Sequence, residues 1–306
     1  MGSDNRRNDI VRLDRVTRFV ALVATLAIPF ALVTACDQAN QTAPETETVR
    51  RVVTLAPHLT ELVFAAGAGD TLVGVSAYSD YPPEATSIAV VSDAFTVDQE
   101  QLVLLSPDIV LAWQSGTPAH VIDELRNGGY RVESIRTRDI DDISISIRRI
   151  GELTGHRQQA AQVAEDFEKG IVELRDEYAE QPSISVFYQI SLKPLYTING
   201  EHYIGEILEL CGGHNIFADM NELAPSVTVE AVVDRNPEAL FAGSADGASA
   251  FSEWQRWPHL KANQFGNHFT VNSDEIGRPS TRLISAATSI CGHLETARQN
   301  RHTTTE

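Results

Sequence analysis

The side chains best suited to a function are aromatic: Tyr78 and Tyr81 in Tyr78-Ser79-Asp80-Tyr81-Pro82-Pro83, Trp113 at the end of a β-branched run, and Tyr196 after Lys193-Pro194-Leu195. Their chemistry is recognition. Rings held on loops at strand ends make rigid walls for a broad, flat, partly apolar ligand, and in an open α/β sheet those loops border the crevice where ligands settle. A single aromatic at a strand end is ordinarily core; the Tyr78 loop, stiffened by two prolines, points instead to binding.

Catalytic spacing is missing. The chain has no GxSxG elbow, HExxH helix, GxxxxGK[ST] phosphate loop or GxGxxG turn after a strand. Its nine histidines include no pair at helical ligand spacing, and its three cysteines form no CxxC or CxxH pair of the kind a structural zinc site uses. We therefore expect no enzyme, no cofactor and no resident metal. A formal charge of -18, from 24 basic against 42 acidic side chains, argues against nucleic acid or an anionic membrane held by bulk charge.

One short repeat carries charge. Val97-Asp98-Gln99-Glu100 precedes Ser106-Pro107-Asp108, and Val227-Thr228-Val229-Glu230 precedes Asn236-Pro237-Glu238. In both copies the proline lies seven residues after the glutamate and an apolar run follows, which places Glu100 and Glu230 at the start of equivalent surface helices. Ordinary N-terminal helix acidity would explain either glutamate, but not the shared register.

The elements that position these residues follow from periodicity. Residues 51–55, 71–75, 109–113 and 131–134 read as strands, and 60–66, opened by Thr60 and Glu61, 99–105, 118–127 and 140–153 as helices. The longest helical pattern runs over 156–181, with Val163, Phe167, Ile171, Leu174 and Tyr178 on one stripe, and ends at Pro182. A second α/β pattern begins at 183–189 and closes with a helix over 282–297. The expected fold is α/β: two lobes with mainly parallel central sheets, joined by one long backbone helix, with a ligand cleft between them. The lobes would span residues 50–154 and 183–298, with the connecting helix at 155–182 and a polar tail at 299–306.

The start of the chain reads as an export signal. Arg6, Arg7, Arg12, Arg15 and Arg18 precede an uncharged apolar run from Phe19 to Val33, too short to span a bilayer. Val33-Thr34-Ala35-Cys36 resembles a lipobox, in which the cysteine becomes the acylated first mature residue. Residues 37–49 then form a flexible tether, and Asp37 resembles the signal that retains lipoproteins at the inner membrane. In an exported protein the remaining cysteines, Cys211 and Cys291, suit a disulfide; two buried thiols are the alternative.

Residues from about Arg51 to Ala297 resemble the periplasmic cobalamin-binding family, within the helical-backbone class of substrate-binding proteins. The carrying motifs are Arg51-Val52-Val53-Thr54-Leu55-Ala56-Pro57 with Thr60-Glu61, Val73-Gly74-Val75-Ser76 through Pro83, Pro107-Asp108-Ile109-Val110 with Ala112-Trp113, and Cys211-Gly212-Gly213 with Asn215-Ile216-Phe217. The resemblance implies a monomeric, non-enzymatic receptor that captures cobalamin (vitamin B12) or a related corrinoid and delivers it to the permease dimer of an ABC importer. Tyr78 would pack on the corrin, Trp113 would flank the cleft, Tyr196 would face the ligand from the second lobe, and Asp274 with Arg278 would bond its rim amides. Phe95 would substitute for a family tryptophan absent here at Ala94. Glu100 and Glu230 would dock on permease arginines, and Cys211 would pair with Cys291. His58, in the first βα loop, would either reach the cobalt of a corrinoid or serve at the helix entry. The alternative within the same transporter class is an iron-siderophore or haem carrier; outside it, a cell-envelope enzyme or sensor.

Overall fold

The computed structural model describes residues 49–303. The expected signal, the Cys36 lipidation site, the tether up to residue 48 and the last three residues lie outside the described residues. Val49 already belongs to the fold: it is buried, and its N–H donates to Leu153 O at 3.1 Å.

The first lobe runs β1 (Val52–Thr54), α1 (Pro57–Ala65), β2 (Leu72–Ser76), β3 (Val90–Ser92), α2 (Gln99–Leu105), β4 (Ile109–Trp113), α3 (Ala119–Asn127), β5 (Val132–Ile135) and α4 (Asp141–Thr154). Helix α5 (Arg157–Tyr178) then leads to the second lobe. That lobe contains β6 (Ile184–Gln189), the hairpin β7 (Ser191–Leu192) and β8 (Leu195–Tyr196), α6 (Tyr203–Leu210), β9 (Gly213–Asn215) and α7 (Val229–Arg235). It continues with β10 (Ala239–Gly243), α8 (Lys261–Phe265), β11 (His268–Val271), α9 (Ser273–Ile276) and α10 (Leu283–Thr303). The sheets are ordered β3-β2-β1-β4-β5 and β9-β6-β10-β11, and every pairing within them is parallel. The order β2-β1-β4-β5 in one lobe matches β9-β6-β10-β11 in the other.

Strand alternation sends side chains to two different interiors. Val52, Ile109 and Leu111 in the first lobe, and Ile184, Val186 and Phe241 in the second, belong to one continuous core that also contains Phe167, Ile171 and Leu174 of α5. The opposite faces are separate: Val53, Val110 and Ala112 pack beneath α2 and α3, while Phe187, Leu240 and Ala242 pack with Phe217 and Trp254. Period-2 burial on both faces is what a parallel sheet covered by helices requires. The α5 stripe has the expected composition, and the helix packs on α4, α6 and α10. At 1.5 Å per residue it is about 33 Å long.

The repeat extends further than its sequence suggests. Both α2 and α7 are capped by a side chain, Asp98 to Gln101 N and Thr228 to Ala231 N, and both end in a left-handed residue, Ser106 (φ 41°) and Asn236 (φ 48°). The acid after each proline then caps the lobe's first strand: Asp108 accepts from Arg51 N at 2.9 Å, and Glu238 from Ser185 N at 3.0 Å.

Two expectations need correction. The first helix is opened not by Thr60 and Glu61 but by Pro57, whose fixed φ suits a first helical position; Thr60 and Glu61 are buried in its interior. The last helix continues to Thr303, through residues expected in the polar tail. The edge strand β3 was not anticipated, since three residues carry too little periodicity to read.

Cys211, at the end of α6, and Cys291, in α10, form a disulfide with Cα atoms 4.8 Å apart. Both are fully buried. Among the described residues no helix is long and apolar enough to cross a membrane, and no cluster of His, Cys, Asp and Glu forms a metal-binding group.

Candidate functional site

A cavity of about 340 Å³ opens where the first lobe's strands end. Its walls come from the segments after β1 (Leu55 to His58), β2 (Ser76 to Tyr78), β3 (Asp93 to Val97) and β4 (Trp113 to Pro118). Ser273, Gly277 and Arg278, after β11, close it from the second lobe. The carboxyl ends of strands and the turns and helix starts that follow them supply the walls, as at ligand sites in open α/β sheets; His58, expected in a loop, is the second residue of α1.

The cavity brings together five expected residues: His58, Tyr78, Phe95, Trp113 and Arg278. Tyr78 is 83% exposed and Phe95 75%, so neither ring is core. Tyr78 adopts φ +65°, a strained backbone for a bulky residue, and such strain persists only where surroundings over-determine it. The surroundings are a hydroxyl chain: Thr54 Oγ1 lies 2.7 Å from Thr60 Oγ1, which lies 3.0 Å from Ser79 Oγ, itself 3.2 Å from Ser76 Oγ. Phe95 is presented by Asp93, whose Oδ1 accepts from the backbone N–H of Phe95 (2.8 Å) and Thr96 (2.7 Å) and from the Thr96 hydroxyl. Those bonds hold the Asp93 carboxyl below its usual range.

Trp113 is oriented by its own backbone N–H, which donates to Thr117 Oγ1 at 2.9 Å; its indole N–H is buried without an acceptor. His58 packs edge-on against Trp113 with ring centroids 5.0 Å apart, and its Nε2 lies 3.4 Å from Thr137 Oγ1. Desolvation, helped by the positive charge of Arg278, pushes its pKa down to about 3, so the imidazole is neutral at physiological pH.

Arg278 is the centre of an inter-lobe charge cluster. It donates to Asp80 Oδ1 (2.5 Å) and Glu61 Oε1 (3.2 Å) of the first lobe, and pairs with Asp274 (3.0 Å) of its own. Burial opposes its charge, but the hydrogen bonds to Asp80 and Glu61 outweigh that and hold its proton more tightly than usual. The hydrogen bond from Arg278 likewise lowers the pKa of Asp80. Arg282 also binds Glu61 and lies over the Tyr81 ring, its guanidinium carbon 4.2 Å from the centroid.

Other expected residues lie elsewhere. Asp274 reaches the cavity through Arg278. Tyr196, 38% exposed on the β7–β8 hairpin, is not in the cavity lining. Glu100 and Glu230 are exposed on α2 and α7, away from it. Reading the sequence missed Glu61, Asp80, Ser280 and Arg282. The available signal was Glu61 itself, a carboxylate flanked by Leu59, Leu62 and Val63, all buried.

A vitamin B12-binding protein of Vibrio parahaemolyticus is 35% identical to this chain over 256 residues, 83% of this chain and 93% of that protein. The solved periplasmic vitamin B12 binding protein BtuF of Vibrio cholerae is 34% identical, with a TM-score of 0.75 over 82% of this chain and 98% of its own. The periplasmic haem-binding protein HutB of Vibrio cholerae, with a TM-score of 0.70 at 21% identity over 80% of this chain and 98% of its own, shares the fold alone. The sequence pattern of the periplasmic binding protein family matches residues 52–274, and the chain belongs to that family.

Proposed function

We propose that the chain is a periplasmic receptor that captures cobalamin or a related corrinoid between its lobes and presents it to an ABC importer. The observation that carries this reading is a pocket with exposed rings of Tyr78 and Phe95 on one side and the Arg278 guanidinium on the other. The 35% identity to a vitamin B12-binding protein over most of both chains supports the same cargo. At about 340 Å³ the pocket is near the lower end of small-molecule sites, so it receives one part of a corrinoid while the rest spreads along the open cleft.

Tyr78, Phe95 and Trp113 form the apolar wall, with His58 edge-on to Trp113 in the same lining. Asp274 and Arg278 meet the rim amides, and Tyr196 approaches from the hairpin of the second lobe. Glu100 and Glu230, on matching helices of the two lobes, set the receptor's register on a two-fold permease dimer. Residues 50–154 and 183–298 are the lobes, and 155–182 the connection. The receptor works as a monomer without catalysis or cofactor, held at the inner membrane by acyl chains on Cys36.

Titration of the purified protein with cyanocobalamin, haem and a ferric siderophore, followed by tryptophan fluorescence or calorimetry, tests the cargo. Saturable one-to-one binding with preference for cyanocobalamin is expected; preference for haem or siderophore overturns the cargo and leaves the fold untouched.

A further inference from the structure

The charges at the cleft are already spent on one another. Arg278 is the one arginine or lysine lining the pocket, and its guanidinium is engaged by Asp80, Asp274 and Glu61. Arg282, the second cation of the cluster, is held by Glu61 in a two-point contact at 2.6 and 3.0 Å. Three carboxylates thus face two guanidiniums, a net charge of -1 (two minus three). Asp93, also in the lining, adds a further negative charge. The neutral His58 offsets none of it.

Among the described residues lining this pocket, a ligand carboxylate finds no uncommitted cation. To bind Arg278 it would have to displace Asp80 or Asp274, whose charges remain nearby and repel it. An amide on the same rim meets no such penalty, because it presents a donor to Asp80 or Asp274 and an acceptor to Arg278. We infer that the Glu61–Asp80–Asp274–Arg278–Arg282 cluster is an amidation filter: it admits tetrapyrrole-like macrocycles whose rim acids are carboxamides and rejects those whose rim acids are free. This rests on the corrinoid reading above and deepens it. It also places the protein after the class of reaction that converts rim carboxylates to amides, since a precursor lacking those amides is excluded.

The test compares ligand pairs that differ in amidation. Dicyanocobinamide (amides) and dicyanocobyrinic acid (carboxylates) are titrated into the wild-type protein and into Asp80→Asn, with haem and its diamide as a second pair. Asp80 is 56% exposed at its side chain, so this substitution removes charge with little loss of packing, and the melting temperature verifies the fold. The wild type is expected to prefer the amide of each pair that binds by at least a hundredfold, and Asp80→Asn to cut that preference at least tenfold by gaining affinity for the acid. A preference below threefold in the wild type, or one unchanged in Asp80→Asn, overturns the filter. Corrinoid binding without discrimination sinks the filter and spares the cargo reading. Discrimination within the haem pair with no corrinoid binding does the reverse, and failure to bind all four compounds overturns both.

Discussion

Glu61 of the first lobe and Arg282 of the second form a two-point ion pair, Nη2 to Oε1 at 2.6 Å and Nε to Oε2 at 3.0 Å, with the carboxylate side chain 3% exposed. Ser280 adds a hydrogen bond of 2.6 Å to Oε2 and Arg278 one of 3.2 Å to Oε1. Every one of these donors is more than 200 residues away in sequence, so this single carboxylate gathers the second lobe's 278–282 segment onto α1.

Removing that carboxylate leaves the Arg282 guanidinium without its ion-pair partner and takes one of three carboxylates from Arg278. Glu61→Ala is expected to destabilise the protein by about 3–5 kcal/mol, the usual cost of breaking one side of a buried pair. Glu61→Gln, which keeps the shape and part of the hydrogen bonding, should cost less. Urea unfolding of the two variants measures the difference, and equal, near-zero effects would contradict a structural role for the pair.

Tyr78→Ala should weaken cyanocobalamin binding at least tenfold without lowering the melting temperature, because a ring 83% exposed contributes little to the core. Calorimetric titration and thermal unfolding of the same sample separate the two effects. A loss of stability with unchanged affinity would remove Tyr78 from the site.

Glu100→Ala combined with Glu230→Ala should leave ligand affinity unchanged and reduce cobalamin uptake in cells. Both residues are exposed and lie outside the cavity lining. If the double variant binds poorly and transports normally, the docking role fails.

His58 predicts an acid sensitivity. Its folded-state pKa is pushed down to about 3 from an ordinary 6.5, first by desolvation and then by Arg278. Below pH 6.5 the unfolded chain takes up a proton that the folded chain refuses, so stability falls with pH until the folded value is reached. Between pH 6.5 and 4 the wild type should lose about 3 kcal/mol relative to His58→Leu, from 1.36 kcal/mol per pH unit. Chemical unfolding at the two pH values checks this, and parallel pH profiles would show that the buried imidazole is not the cause.

What the sequence showed plainly was whatever depends on near neighbours. The α5 stripe, the strand before Trp113 and the register of Glu100 with Glu230 all rest on periodicities of a few residues, and the structure has them. The Tyr78 loop was visible through Pro82 and Pro83. Glu61 was misplaced because helix-start acids are common and its partners are distant; only the folded chain shows it as an anchor. The hydroxyl relay from Thr54 to Ser76 was hidden for the same reason, since each threonine or serine alone is unremarkable in its strand, helix or loop.

The interior shared by both lobes has a mechanical consequence. Side chains of α5 interlock with apolar residues from either sheet, so widening the cleft by any large angle would expose greasy surface to water. Wide opening of the cleft would therefore have to be driven from outside, against the cost of wetting that shared interior.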